Sequence, residues 1–120
     1  MTSACRFNRH QRLSKTVEFR YVFAQPSKST DLYFTVLARA NRLTYARLGL
    51  AIARKRIKSA VARNRIKRLI RESFRQHQAI LAGLDCVVLA RSELEPISNL
   101  ILFQSLAKHW HKLSSIVVSQ

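Results

Sequence analysis

The segment ARNRIKRLIRESFR, residues 62–75, constrains this 120-residue chain more than any other stretch. At about 100° per residue, Ala62, Ile66, Leu69, Ile70 and Phe74 fall on one arc of a helix. The opposite arc carries Asn64, Arg68, Arg71 and Arg75, with Arg63, Arg65 and Lys67 on the shoulders. Such a helix needs an apolar surface to lie on and leaves its cations outside. Ser59 is placed to cap it, which predicts a helix from about residue 60 to about residue 78. Its outer face would present guanidinium groups along about 16 Å of axis, a span comparable to several successive phosphates. Asn64 adds a neutral donor and acceptor suited to a sugar hydroxyl or a base edge.

The rest of the chain supplies the surface that the helix needs. Residues 14–24 (SKTVEFRYVFA) predict a short helix capped by Ser14, with Phe19, Val22 and Phe23 on one face and Pro26 closing it. Residues 31–39 (DLYFTVLAR) are rich in aromatic and β-branched residues and predict a strand, with a further short strand among residues 27–31. In RLGLAIA (47–53), Leu48, Leu50 and Ile52 alternate with Gly49, Ala51 and Ala53. This predicts a strand whose second face is kept low so that something can pack close against it. DCVVLA (85–90) reads as a short buried strand, and Ser98 or Asn99 can cap a last helix through about residue 114, with Leu102, Leu106, Trp110 and Leu113 as its apolar stripe. The expected order is α-β-β-β-α-β-α in a two-layer α+β sandwich: one domain over residues 1–120, with flexible tails at about 1–12 and 115–120.

Charge then narrows the function. Lys and Arg number 22 against 6 Asp and Glu, a formal net charge of +16. Ten of those cations (Arg54, Lys55, Arg56, Lys58, Arg63, Arg65, Lys67, Arg68, Arg71 and Arg75) lie in residues 54–75 beside one acid, Glu72. Self-repulsion on this scale is usually retained where a polyanion neutralises it. The plain alternative is a solvated face, but like charges at helical spacing destabilise by about a few tenths of a kcal/mol each, and Glu72 cannot balance them. Nucleic acid is the leading partner class. An anionic membrane surface is weaker, because the apolar arc is needed for the core. RKRIK (54–58) carries the basic array from the end of a strand into the first turn of the helix.

No catalytic constellation accompanies this array. Glu18, Asp31, Glu72, Asp85, Glu93 and Glu95 are scattered, His109 and His111 point to different helix faces, and all four histidines are expected at the surface. No glycine-rich phosphate loop or metal-ligand cysteine pattern is present, and no metal ligand is assigned. Cys5 and Cys86 are far apart; reduced thiols are expected, with Cys86 buried and a single disulfide as the alternative. No apolar run has the length of a membrane span or secretory signal, so a soluble cytoplasmic protein is expected. Phe19, Phe23, Tyr33 and Phe34 admit two readings, as core residues or as platforms for unpaired bases.

RLGLAIARKRIKSAVARNRIKRLIRESFR (47–75) resembles the signature of the bacterial ribonuclease P protein component. Gly49, Arg54–Lys55, Arg63–Asn64–Arg65 and Ile66–Lys67–Arg68 carry the likeness. RLSKTVEFRYVFAQP looks like that family's first helix, DCVVLAR like its later strand, and the Trp110 segment like its last helix. The resemblance implies a left-handed βαβ crossover and an accessory role in removing the 5′ leader of precursor tRNA. The catalytic RNA would hold the active site and its Mg2+. Arg54, Lys55, Arg63, Asn64, Arg65, Lys67, Arg68 and Arg71 would contact that RNA, with Arg56 and Lys58 of the same basic run beside them. Phe19, Phe23, Phe34 and Val36 would line a cleft for the single-stranded leader, although some relatives carry an aromatic where Val36 is placed. One protein per RNA is expected. The competing class is a ribosomal or structural RNA-binding protein without a leader cleft.

Overall fold

The structure, a computed structural model, describes residues 9–118. A 3-10 turn at Arg9–Gln11 precedes α1 (Thr16–Ala24), β1 (Ser27–Thr30), β2 (Phe34–Ala40), β3 (Arg47–Ala51), α2 (Ala60–Gln76), the short α3 (Gln78–Leu81), β4 (Leu84–Ala90) and α4 (Asn99–Val118). The four strands form one sheet in the order β1-β2-β4-β3. β1–β2 and β2–β4 are antiparallel, whereas β3 and β4, joined through α2, are parallel. The architecture is the expected α+β class.

The main core lies between one sheet face and the pair α2 and α4. Phe34, Val36 and Ala38 of β2, Leu48 of β3, and Cys86, Val88 and Ala90 of β4 meet Ile66, Leu69, Ile70 and Phe74 of α2 and Leu102, Leu106, Trp110 and Leu113 of α4. The helices run side by side in the same direction, with Arg65 near Asn99 and Ser73 near Trp110. Trp110 Nε1 donates to Ser73 Oγ at 2.9 Å, so the largest core side chain is also polar-satisfied. The inner arc read from the sequence is the arc that is buried, with Ala62 at its margin.

The other sheet face is ordered in three rows by the strand register. Thr30, Thr35, Leu89 and Ala51 form the first, Lys28, Leu37, Val87 and Gly49 the second, and Arg39, Asp85 and Arg47 the third. α1 lies on this face as a partial third layer, packing Val22 and Phe19 with Leu13, Leu37 and Val87. A Cβ placed on Gly49 would stand 2.7 Å from Phe19 Cζ, so the low face of β3 is low because α1 sits on it. In the third row, Asp85 is fully buried and accepts from Arg47 Nε at 2.8 Å, from Arg47 NH2 at 2.7 Å and from Asn41 Nδ2 at 2.8 Å. Arg47 also reaches Glu18 of α1 at 3.2 Å. The arginine thus ties α1 to both parallel strands, and these carboxylates raise its already high pKa, mainly through the Asp85 hydrogen bonds.

Several local expectations change. Ser14 does not cap α1 with its hydroxyl; Glu18 reaches back instead, accepting from the backbone N–H of Lys15 at 2.9 Å and of Ser14 at 3.0 Å. These backbone donors hold the Glu18 carboxyl below its usual range. Part of what was expected as tail belongs to the described fold. Gln11 is buried and donates to the Ala46 carbonyl at 3.2 Å, Arg12 bridges to Leu48 on the β3 edge, and α4 continues to Val118. The remaining tail residues, and Cys5 with them, lie outside the described residues. Cys86 is a free, buried thiol whose pKa burial pushes up. His109 is not at the surface: it is 3 % exposed, with Nδ1 2.6 Å from Ser29 Oγ and Nε2 3.2 Å from Asp31 Oδ2. The apolar residues around it in α4 mask this role in the sequence, because its partners come from β1 and the turn after it.

Candidate nucleic-acid interface

α2 forms because Ser59 caps it, its hydroxyl accepting from the Ala62 N–H at 3.2 Å, and because its apolar arc is buried. It stops at Gln76, where His77 leaves the helical path. The outer arc places Asn64 and Arg68 in solvent, with Arg71 and Arg75 half-buried, around a groove of about 330 Å³ that also touches Glu72. Glu72 pairs with Arg75 rather than with Arg68, and that hydrogen bonding holds its carboxyl below the usual range.

Arg71 connects this groove to a second one at the β3 edge, lined by Arg12, Ser14, Lys67 and Arg71 with Leu13, Leu48 and Leu50. Partial burial and, after it, the positive charge of Arg12 lower the pKa of Arg71. A site in which cations crowd one another is one where an anion relieves repulsion.

The two arginines of the Arg-Asn-Arg motif do something the sequence did not indicate. Arg63 NH1 donates to the carbonyls of Ile57 at 2.9 Å and Lys58 at 2.8 Å, fastening the basic turn to the helix. Arg65 donates through Nε to Asn99 Oδ1 at 3.0 Å, and through its terminal nitrogens to the Glu95 and Ile97 carbonyls. It therefore closes the β4–α4 loop over the start of α4. Arg54, Lys55, Arg56 and Lys58 are all exposed, while Ile57 between them is fully buried and anchors the turn. Of the ten residues expected to touch RNA, Arg63 and Arg65 are thus spent largely on backbone carbonyls. Asn64, Lys67, Arg68, Arg71 and the basic turn remain the outward set. The carbonyl partners come from loops, which leave no periodic signal to read.

The expected cleft of Phe19, Phe23, Phe34 and Val36 does not exist as one surface. Phe19 and Phe23 are on α1, half-buried and 46 % exposed respectively. Phe34 and Val36 are fully buried on the opposite face of the sheet, against α2 and α4. The reason is the two-residue period of the strand: Thr35, Leu37 and Arg39 face α1, as the Arg39 guanidinium over the Tyr21 ring at 3.8 Å shows. YFTVLA is apolar on both faces, so alternation gave no direction. The side chains that share a face with Phe19 are Leu37 and Val87 beneath it and the open row of Thr35, Leu89 and Ala51 beside it. Ala51 ends β3, so this row runs towards the basic turn.

Among the described residues, no three His, Cys, Asp or Glu side chains are grouped to hold a metal ion, and no helix is long and apolar enough to cross a membrane. The family model for Ribonuclease P matches residues 7–114. The Ribonuclease P protein component of Methylococcus capsulatus is 52% identical over 104 residues, covering 87% of this chain and 81% of that protein. That of Vibrio cholerae is 46% identical over 108 residues, covering 90% and 92%. Among solved structures, the RNase P protein of Thermotoga maritima superposes with a TM-score of 0.75 at 30% identity, covering 84% of this chain and 96% of that one. That of Staphylococcus aureus gives 0.75 at 28%, covering 87% and 94%. A basic helix built on a sheet of this order, matched in sequence almost from end to end, makes the chain a member of the ribonuclease P protein family.

Proposed function

We propose that this chain is the protein subunit of ribonuclease P, binding the catalytic RNA through α2 and the 5′ leader of precursor tRNA through the α1 side of the sheet. One observation carries the reading: two separate surfaces flank the exposed turn Arg54–Lys58. One is the cationic outer side of α2 with Asn64, Lys67, Arg68 and Arg71, and the other is the half-open row of Thr35, Leu89 and Ala51 beside Phe19 and Phe23. The first has the charge and spacing for a folded polyanion. The second is narrow and mildly apolar with threonine hydroxyls, which suits an unpaired strand more than a duplex. On this reading the Mg2+ required for cleavage is held by the RNA, and the protein raises affinity for the substrate that still carries its leader.

Reconstitution tests the proposal. Added to the purified ribonuclease P RNA, the chain is expected to permit cleavage of precursor tRNA at low Mg2+, and the assembled complex to bind precursor more tightly than leaderless tRNA. Binding of the RNA without stimulation of cleavage, and with equal affinity for both tRNAs, would identify a general RNA-binding protein instead.

A further inference from the structure

The seam between α2 and α4 holds a feature that phosphate binding does not use. A groove of about 220 Å³ is lined by Arg65, Arg68, Leu69, Glu72, Asn99 and Phe103. Leu69 is its buried floor, and Phe103 is a half-buried ring packed against the core that still reaches the groove. The polar rim is asymmetric. Arg68 is exposed and has no charge partner among the described residues, Glu72 offers a carboxylate engaged by Arg75 and Gln76, and Asn99 uses its Oδ1 to hold Arg65. The Asn99 amide NH2 has no partner among the described residues. Arg65 is immobilised by its three acceptors, so the wall it forms is pre-built. The groove opens beside Arg68 on the same outer face that carries Asn64 and Arg71.

We propose that this groove receives one unpaired nucleobase of the RNA lying along α2, stacked on Phe103 while the neighbouring phosphate pairs with Arg68. The inference rests on the proposed function and adds a base-reading element to it. A flat aromatic wall, an apolar floor, an amide donor and a carboxylate acceptor meet the chemistry of a base, which has a π-face and a mixed donor–acceptor edge. A phosphate would not use the ring and would be repelled by Glu72. An isolated apolar side chain would leave the Asn99 amide and Arg68 unpaired. The groove thus belongs to a looped or bulged nucleotide, because a base held in a helix cannot enter it.

The test compares Phe103→Leu, Phe103→Tyr and Arg68→Ala by titration with the purified ribonuclease P RNA over a range of salt, and by titration of each assembled complex with precursor tRNA. Phe103→Leu keeps apolar volume but removes the ring, and is expected to weaken RNA binding by about tenfold, the effect of one lost stack, with an unchanged salt slope. Phe103→Tyr keeps the ring and is expected to bind within about twofold of the parent chain. Arg68→Ala is expected to lower the salt slope by about one. Melting of each free variant separates binding from folding, and the Tyr variant retains the comparison if the Leu variant is poorly folded. Unchanged RNA affinity for Phe103→Leu, with Arg68→Ala still weakening it, overturns the base site and leaves the basic face standing. Unchanged affinity for both overturns the proposed role of α2 as well. A loss for Phe103→Leu seen only with precursor tRNA assigns the groove to the wrong RNA and equally overturns the inference.

Discussion

Gly49→Ala isolates the contact that seats α1. Gly49 does not adopt a left-handed backbone conformation, so alanine meets no backbone penalty there and in a strand is ordinarily favourable by about 0.4–1 kcal/mol. The cost comes from space alone: the new Cβ would lie 2.7 Å from Phe19 Cζ, 2.8 Å from Cε1 and 3.1 Å from Leu13 Cβ. Overpacking of this kind costs about 1–3 kcal/mol. Phe19 is half-buried and can swing its outer edge towards solvent, which places the expected loss at about 1–2 kcal/mol. In a domain of this size that is a fall in Tm of about 4–8 °C. Urea unfolding followed by far-ultraviolet circular dichroism measures it, and a double-mutant cycle with Phe19→Ala assigns it. With the ring removed, only the Leu13 contact opposes the alanine, so Gly49→Ala should become nearly neutral and the coupling should be about 1 kcal/mol or more. Additive effects, within about 0.5 kcal/mol, would refute the claim that Phe19 is what keeps position 49 a glycine.

Two further expectations concern groups whose role the fold reveals. Arg65→Lys loses the planar fork that serves Asn99 and two carbonyls, and should destabilise the RNA-free chain by about 1–2 kcal/mol in thermal melts. An unchanged melt would show that Arg65 does not hold the β4–α4 loop. His109 has its pKa lowered chiefly by burial, against the opposing pull of the Asp31 carboxylate and with a smaller lowering from Lys112. The unfolded chain therefore takes up a proton at this residue at higher pH than the folded chain does. The stability that His109 contributes is fully present above its ordinary value of 6.5 and is lost as pH falls below it. Melting temperatures between about pH 7.5 and 5.5 should fall more steeply for the parent than for His109→Asn, and parallel curves would remove His109 as the source.

What the sequence made legible depended on periodicity. α2 could be placed, and its two faces separated, because its apolar residues recur at helical spacing while its cations do not. β3 could be given a close neighbour because large and small residues alternate. β2 offered no such contrast: Phe34, Val36 and Ala38 on one face and Leu37 on the other are all buried, so the side facing α1 was misassigned by one residue. The anchoring roles of Arg63 and Arg65 were hidden for a different reason. Their acceptors are main-chain carbonyls in loops, and any residue at those loop positions would supply the same oxygen. Glu18 displaced Ser14 as the cap because its longer side chain reaches two backbone donors at once.

The Arg47–Asp85 pair has a mechanical consequence. β3 and β4 are the two strands that α2 connects, and they are also the strands from which Arg47 and Asp85 hold α1 through Glu18. One frame therefore carries α2 and α1 on opposite sides of a single sheet. Under the proposed function such a frame would act as a spacer, keeping an RNA on the α2 side and an unpaired strand on the α1 side at a separation set by its thickness, whatever their sequences.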